Sequence, residues 1–131
     1  MATVVTNAGL AIVTNRMRGS GTEPVYIGWG IGAGTAQVTN TTLFSEVDVD
    51  LSTTSGTRTT GTSSQQTTDV TNDTWRLTGT RTATGAGTVT NAGCFDTSTI
   101  ASGNLFLKGD FTGIGLASGA SIAFTINADF D

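Results

Sequence analysis

Among its 131 residues the chain has no histidine, one cysteine, one proline and one lysine, and each scarcity removes a class of chemistry. Without histidine no side chain ordinarily titrates near neutrality. The commonest general base, the usual activator of a serine or cysteine nucleophile and the commonest metal ligand are missing together. A lone cysteine excludes an intrachain disulfide. Cys94 lies in Asn91-Ala92-Gly93-Cys94-Phe95 and reads as a small buried hydrophobe. Charged residues make up 12% of the chain, about half the globular average, and the net charge is −4. The six basic residues, Arg16, Arg18, Arg58, Arg76, Arg81 and Lys108, are scattered, which leaves no stripe for nucleic acid and no patch for a membrane surface. No apolar run approaches the roughly 20 residues of a membrane-spanning helix. The opening Met1–Thr6 lacks a basic leader region, so the expectation is a protein made in a cytoplasm, and the sequons at Asn40 and Asn72 carry no weight.

What is abundant points to strands. Threonine occurs 28 times, and a β-branched hydroxyl residue suits a half-wet pleated surface. Asn7–Met17 is the one candidate helix, with Asn7 as cap and Leu10, Val13 and Met17 on one face, while the β-branched run Ile12-Val13-Thr14 leaves a short strand as the alternative. Val25–Trp29 reads as a strand. In residues 46–51, Val47, Val49 and Leu51 alternate with Glu46, Asp48 and Asp50. Residues 52–68 hold almost nothing apolar and are expected as a polar loop or hairpin, the most mobile part. Trp75, Leu77 and Gly79 share a face, Gly85–Gly87 turns, and Val89–Phe95 returns as the second arm of a hairpin. Ile122, Phe124, Ile126, Ala128 and Phe130 alternate in the clearest strand of all. About seven short strands in a single domain spanning residues 1–131 predict an all-β fold. The expected form is an antiparallel sandwich or jelly-roll-like barrel with one short N-terminal helix.

Three motifs carry possible chemistry. Glu46, Asp48 and Asp50 would stand ~7 Å apart along one strand face, where calcium could bridge them. A solvated face or pairing with Arg58, Arg76 and Arg81 would use them equally well. Gly28-Trp29-Gly30-Ile31-Gly32-Ala33 has the spacing of a dinucleotide fingerprint. The threonine-rich Thr35–Thr42 that follows is no helix, so the motif reads as a glycine loop at a strand end. Trp29, Trp75 and Tyr26 would form a sugar-stacking face if exposed, although core positions suit the tryptophans better. Two carboxylates could serve a glycosidase, but no cleft residues accompany them. The residues thus describe a non-enzymatic protein without a cofactor.

The pattern Gly87-Thr88-Val89-Thr90-Asn91-Ala92-Gly93-Cys94-Phe95-Asp96, then Gly103-Asn104-Leu105-Phe106-Leu107, then Phe111…Leu116…Ser121-Ile122-x-Phe124-x-Ile126, resembles small virion proteins of tailed bacteriophages. Asn7-Ala8-Gly9-Leu10 and Val25–Gly30 extend the likeness over most of the chain. Asn91, Cys94 and Ala120 depart from it, standing where an acid, Leu and Asp are more usual. The resemblance implies a capsid decoration (cement) protein on the outer surface of the head, made in the host cytoplasm, or else a tail, fibre or baseplate accessory. It implies the major capsid protein as partner and self-association as a homotrimer. The expected contact residues are Ala2, Thr3, Val4, Val5 and Thr6, as an extended arm.

Overall fold

The computed structural model describes residues 1–130. In chain order it contains β1 (Thr3–Val5), α1 (Asn7–Met17), β2 (Tyr26–Gly30), β3 (Glu46–Val47), β4 (Thr59–Thr60), β5 (Thr62–Gln66), β6 (Thr74–Thr82), β7 (Gly87–Phe95), β8 (Leu105–Leu116) and β9 (Ser121–Asp129). One sheet runs β1-β8-β7-β2-β3, with β4 also paired to β2; the other runs β5-β6-β9. All pairings are antiparallel and the sheets pack as a sandwich, so the fold expected from the threonine-rich alternation is the one observed.

Burial follows the pleat along β6 from Leu77 and along β9 as far as Ala128. Ile126 and Ala128 of β9 meet Leu77 of β6, Ile27 of β2, Cys94 of β7 and Leu107 of β8 in one cluster between the sheets. A second cluster holds Trp29, Val47, Leu51, Val89, Ala92 and Leu116. Val89 and Ala92 differ in parity yet face the same interior, because the β7–β8 register shifts between Val89 and Asn91. Between those two pairs β7 advances two residues while β8 advances four, Ile114 to Asp110, and the ladder is irregular there. On the other face of this sheet Phe95 packs with Leu43 and Leu105.

Five local expectations are corrected. The helix spans the expected residues, but its cap is Thr6, whose Oγ1 accepts from Gly9 N at 3.0 Å. Its buried face is Gly9 and Ile12, while Leu10 and Met17 are 58% and 82% exposed. Thr6 N donates to Phe106 O and Asn7 N to Val38 O, which fix the helix's roll before its apolar stripe can choose one. A Cβ on Gly9 would stand 2.3 Å from Phe106 O, so here the helix backbone itself lies against β8.

Residues 48–51 are not strand. Leu51 takes φ +60° and its N–H returns to Asp48 O, which brings Val47 and Leu51 into the core while the acidic residues diverge. The polar segment 52–68 is not a free loop, since β4 extends the first sheet and β5 the second, with Gly61 at the crossing. Gly61 N donates to Val25 O, and a Cβ there would meet Leu77 Cδ1 at 2.7 Å. Finally, β6 and β7 do not form a hairpin. They belong to different sheets, and the 83–86 turn arches between them. The inward alternation of β9 ends before Phe130, which is 59% exposed.

Candidate interaction surfaces

The acidic row is dismantled by the tertiary structure, one carboxylate at a time. Arg58 donates to Glu46 through Nε at 2.7 Å and Nη2 at 3.0 Å, the two-pronged geometry of a guanidinium on a carboxylate. Its Nη1 reaches Thr97 O and Ser102 O, both at 2.9 Å, and its plane stacks 3.4 Å from the Phe95 ring centroid. One buried side chain thus ties β3 to the 97–102 loop.

Asp48 instead accepts from Arg81 Nη2 at 3.1 Å and from Val49 N at 2.7 Å. Arg81 also donates to Thr57 O and the Thr59 hydroxyl and lies 5.1 Å from the Trp29 ring. Burial draws the Arg81 guanidinium below its ordinary value while Asp48 and Glu46 pull it back; a guanidinium stays charged throughout. Asp50 turns outward and accepts from the Thr53 hydroxyl and from Thr53 and Ser52 N–H groups. Those donors hold its carboxyl well below the usual range. Among the described residues no group of three or more acidic or cysteine side chains is arranged to hold a metal ion. The pairing of Arg58 and Arg81 with this row is therefore the arrangement observed. Arg76 goes elsewhere, to Asn127 Oδ1 at 2.9 Å.

From the sequence Arg81 was a partner for the acidic row, its burial unforeseen, and Lys108 had no structural role. Arg81 follows Trp75, Leu77 and Gly79 at the same parity, so the β6 alternation already placed it inward. Its charge argued outward, and the alternation prevailed because Asp48 was there to meet it. Lys108 lies within β8, fully buried, with Nζ 2.8 Å from Thr42 O and 3.2 Å from the Phe44 ring centroid. Burial pushes its ammonium down to about 8 against the pull of Asp110. These groups brace loops; they do not face a cleft.

The expected contact arm, Ala2 to Thr6, is a strand in the sheet. Thr3, Val4 and Val5 pair with Gly109, Lys108 and Leu107, and Ala2 O accepts from Asp110 N. Thr6 is fully buried as the helix cap. Of the five, Thr3 is exposed and Ala2, Val4 and Val5 are half-buried, and β8 supplies the segment with backbone partners that an extended arm would lack.

The aromatic platform is absent as well. Trp29 is fully buried, its indole N–H donated to Asp48 O at 3.1 Å, so it cannot share an exposed face with Trp75 and Tyr26. The Gly28–Ala33 motif opens no helix. Gly30 lies flat against Phe44 O, where a Cβ would be 2.3 Å away. Cys94 is fully buried, and burial pushes its thiol up to about 12.

What the surface does offer is an apolar groove of about 320 Å³ between α1 and the end of β9. Ile12, Trp75 and Phe106 form its floor, and Met17 and Phe130 stand exposed at its rim. Trp75 is anchored by its indole N–H to Glu23 Oε1 at 2.9 Å and meets Phe106 edge-on, with centroids 5.3 Å apart. Sequence periodicity had assigned Met17 and Phe130 to the core. Their exposure at one site is the signal that only the fold supplies. Comparison with protein-family models, with curated proteins and with solved structures gave no match.

Proposed function

We propose that this chain is a non-enzymatic structural subunit of a tailed-bacteriophage virion, specifically a decoration protein that binds the outside of the assembled head. The observation that carries the reading is the rimmed apolar groove, where Met17 and Phe130 stand in solvent beside an anchored tryptophan. Two large exposed apolar side chains around a shaped aromatic floor suit a protein partner whose own apolar residue fills the centre. The ionic chemistry of the interior supports the same view. Glu46, Asp48, Arg58 and Arg81 are engaged in holding loops, and Cys94 is sealed away. The resemblance along Gly87–Asp96 and Phe111–Ile126 falls on β7, β8 and β9, the strands that carry most of the sandwich. It supplies the phage head as the partner and the major capsid protein as the surface addressed.

The test is rebinding. Purified protein mixed with undecorated heads should co-sediment with them and label the head by immunoelectron microscopy. Met17→Asp and Phe130→Asp should weaken that binding about tenfold or more while leaving the fold intact, since both side chains are outside the core. Failure to bind heads, with labelling on tails instead, would overturn the head assignment.

A further inference from the structure

The two sheets treat their edges differently. In the first sheet the outermost strands are two or three residues long: β1, β3 and β4. Short edges give a foreign strand little to pair with. In the second sheet β9 is an edge of nine residues, paired with β6 alone among the described residues. Its register with β6 runs without a shift from Ser121 to Asp129, so no bulge twists the edge away. It contains no proline and no lysine, and Asp129 is its one ionisable side chain. Of the usual guards of a long edge, proline, lysine and a bulge are missing, and the one charge sits at its last residue.

A second observation lies beside this edge. A groove of about 220 Å³ opens between β8 and β9, lined by Leu107, Phe111, Phe124 and Ile126, with Met1 at its mouth. Phe124 and Ile122 face the interior yet are only partly buried, because no strand continues the sheet past them.

We infer that β9 is a self-association edge that pairs antiparallel with β9 of a second copy about a two-fold axis through Thr125. The sequence of the strand fits itself in that register. Thr125 lies opposite Thr125, Phe124 opposite Ile126, Ile122 opposite Ala128, Ala123 opposite Asn127 and Ser121 opposite Asp129. Large faces small or another apolar side chain on the inner face, and hydroxyl faces carboxylate at the ends. The two Asp129 carboxylates fall at opposite ends, about 27 Å apart at ordinary strand rise, well beyond the screening length. Like charges thus never meet, as cross-strand pairing requires. The joined sheet would have six strands, β5-β6-β9 continued by its mirror order, and the partner would close the groove beside Phe124. A two-fold interface of this kind is self-complementary and closes on itself. It predicts pairs, where the phage resemblance taken alone implies trimers.

The purified full-length chain should sediment at twice its 13.3 kDa mass. Thr125→Lys and Thr125→Asp each set like charges against themselves and should raise the dimer dissociation constant about tenfold or more, while a mixture of the two should restore a 1:1 pair. Oxidised Thr125→Cys should cross-link to itself, since directly opposed residues stand ~5 Å apart, whereas Ser121→Cys alone should not. Buried Cys94 is shielded from that reaction. A monomer at all concentrations, a trimer, or cross-linking equal at both positions would overturn the inference. Head binding is read separately through Met17 and Phe130, so either proposal can fail alone.

Discussion

Replacing Arg58 with methionine keeps the length of the side chain and removes its charge and donors. In the wild type this guanidinium makes two contacts to Glu46, at 2.7 and 3.0 Å, and two to the carbonyls of Thr97 and Ser102, both at 2.9 Å. The Glu46 side chain is only 8% exposed, so the variant leaves a carboxylate without its partner in a site water barely reaches. Removing one member of a buried pair costs about 3–5 kcal/mol, most of it the penalty of the stranded charge. Methionine still covers Phe95, so packing contributes little to the loss. The expected destabilisation is about 4 kcal/mol, seen as a urea midpoint lower by roughly 2 M at an unchanged m value. The double variant Glu46→Met, Arg58→Met should be more stable than Arg58→Met alone, because no charge is left behind. A loss below about 1 kcal/mol for Arg58→Met, or a double-variant loss equal to the sum of the singles, would refute the account.

Three further outcomes are expected. Gly9→Ala should destabilise by about 1–3 kcal/mol despite alanine's better helix propensity, because its Cβ meets the Phe106 carbonyl; thermal unfolding by circular dichroism reads this. Lys108 titrates near 8 when folded and near its ordinary 10.5 when unfolded, so above pH 8 the unfolded chain holds more protons and stability should rise with pH. Comparison with Lys108→Met across pH 7–10 isolates this rise, and a flat difference would contradict it. Cys94 acts in the opposite sense above its ordinary 9.0, because the folded thiol keeps its proton up to about 12. Native protein should accordingly resist a disulfide reagent at pH 8 and react only on unfolding, which absorbance of the released thiolate would follow.

How much of this was legible depended on the kind of pattern. Strand positions with strict alternation, such as Ile122, Phe124, Ile126 and Ala128, were readable because a pleat has a fixed period of two. The extent of α1 was readable from its glycine-serine stop, yet its buried face was not. Two backbone hydrogen bonds to Phe106 and Val38, which no local pattern encodes, set its roll. The acidic row looked like a strand face because Glu46 to Leu51 alternates, and the positive φ of Leu51 broke it. Arg81 was named as a partner for the acidic row, but the β6 parity that buries it went unread because its charge argued outward. The groove at Met17 and Phe130 was illegible, since periodicity assigns an apolar residue inward without knowing where the sheet ends.

By itself the sequence determined an all-β chain with one short helix, a thiol without chemistry and no histidine-based catalysis, because composition and alternation act locally. The tertiary structure decided which sheet each strand joined, which carboxylate met which arginine and which strand was left as a long open edge. Those depend on contacts between residues far apart in the chain, such as Thr6 with Leu105 and Arg58 with Ser102. Burial energies settle them only once both partners are in place.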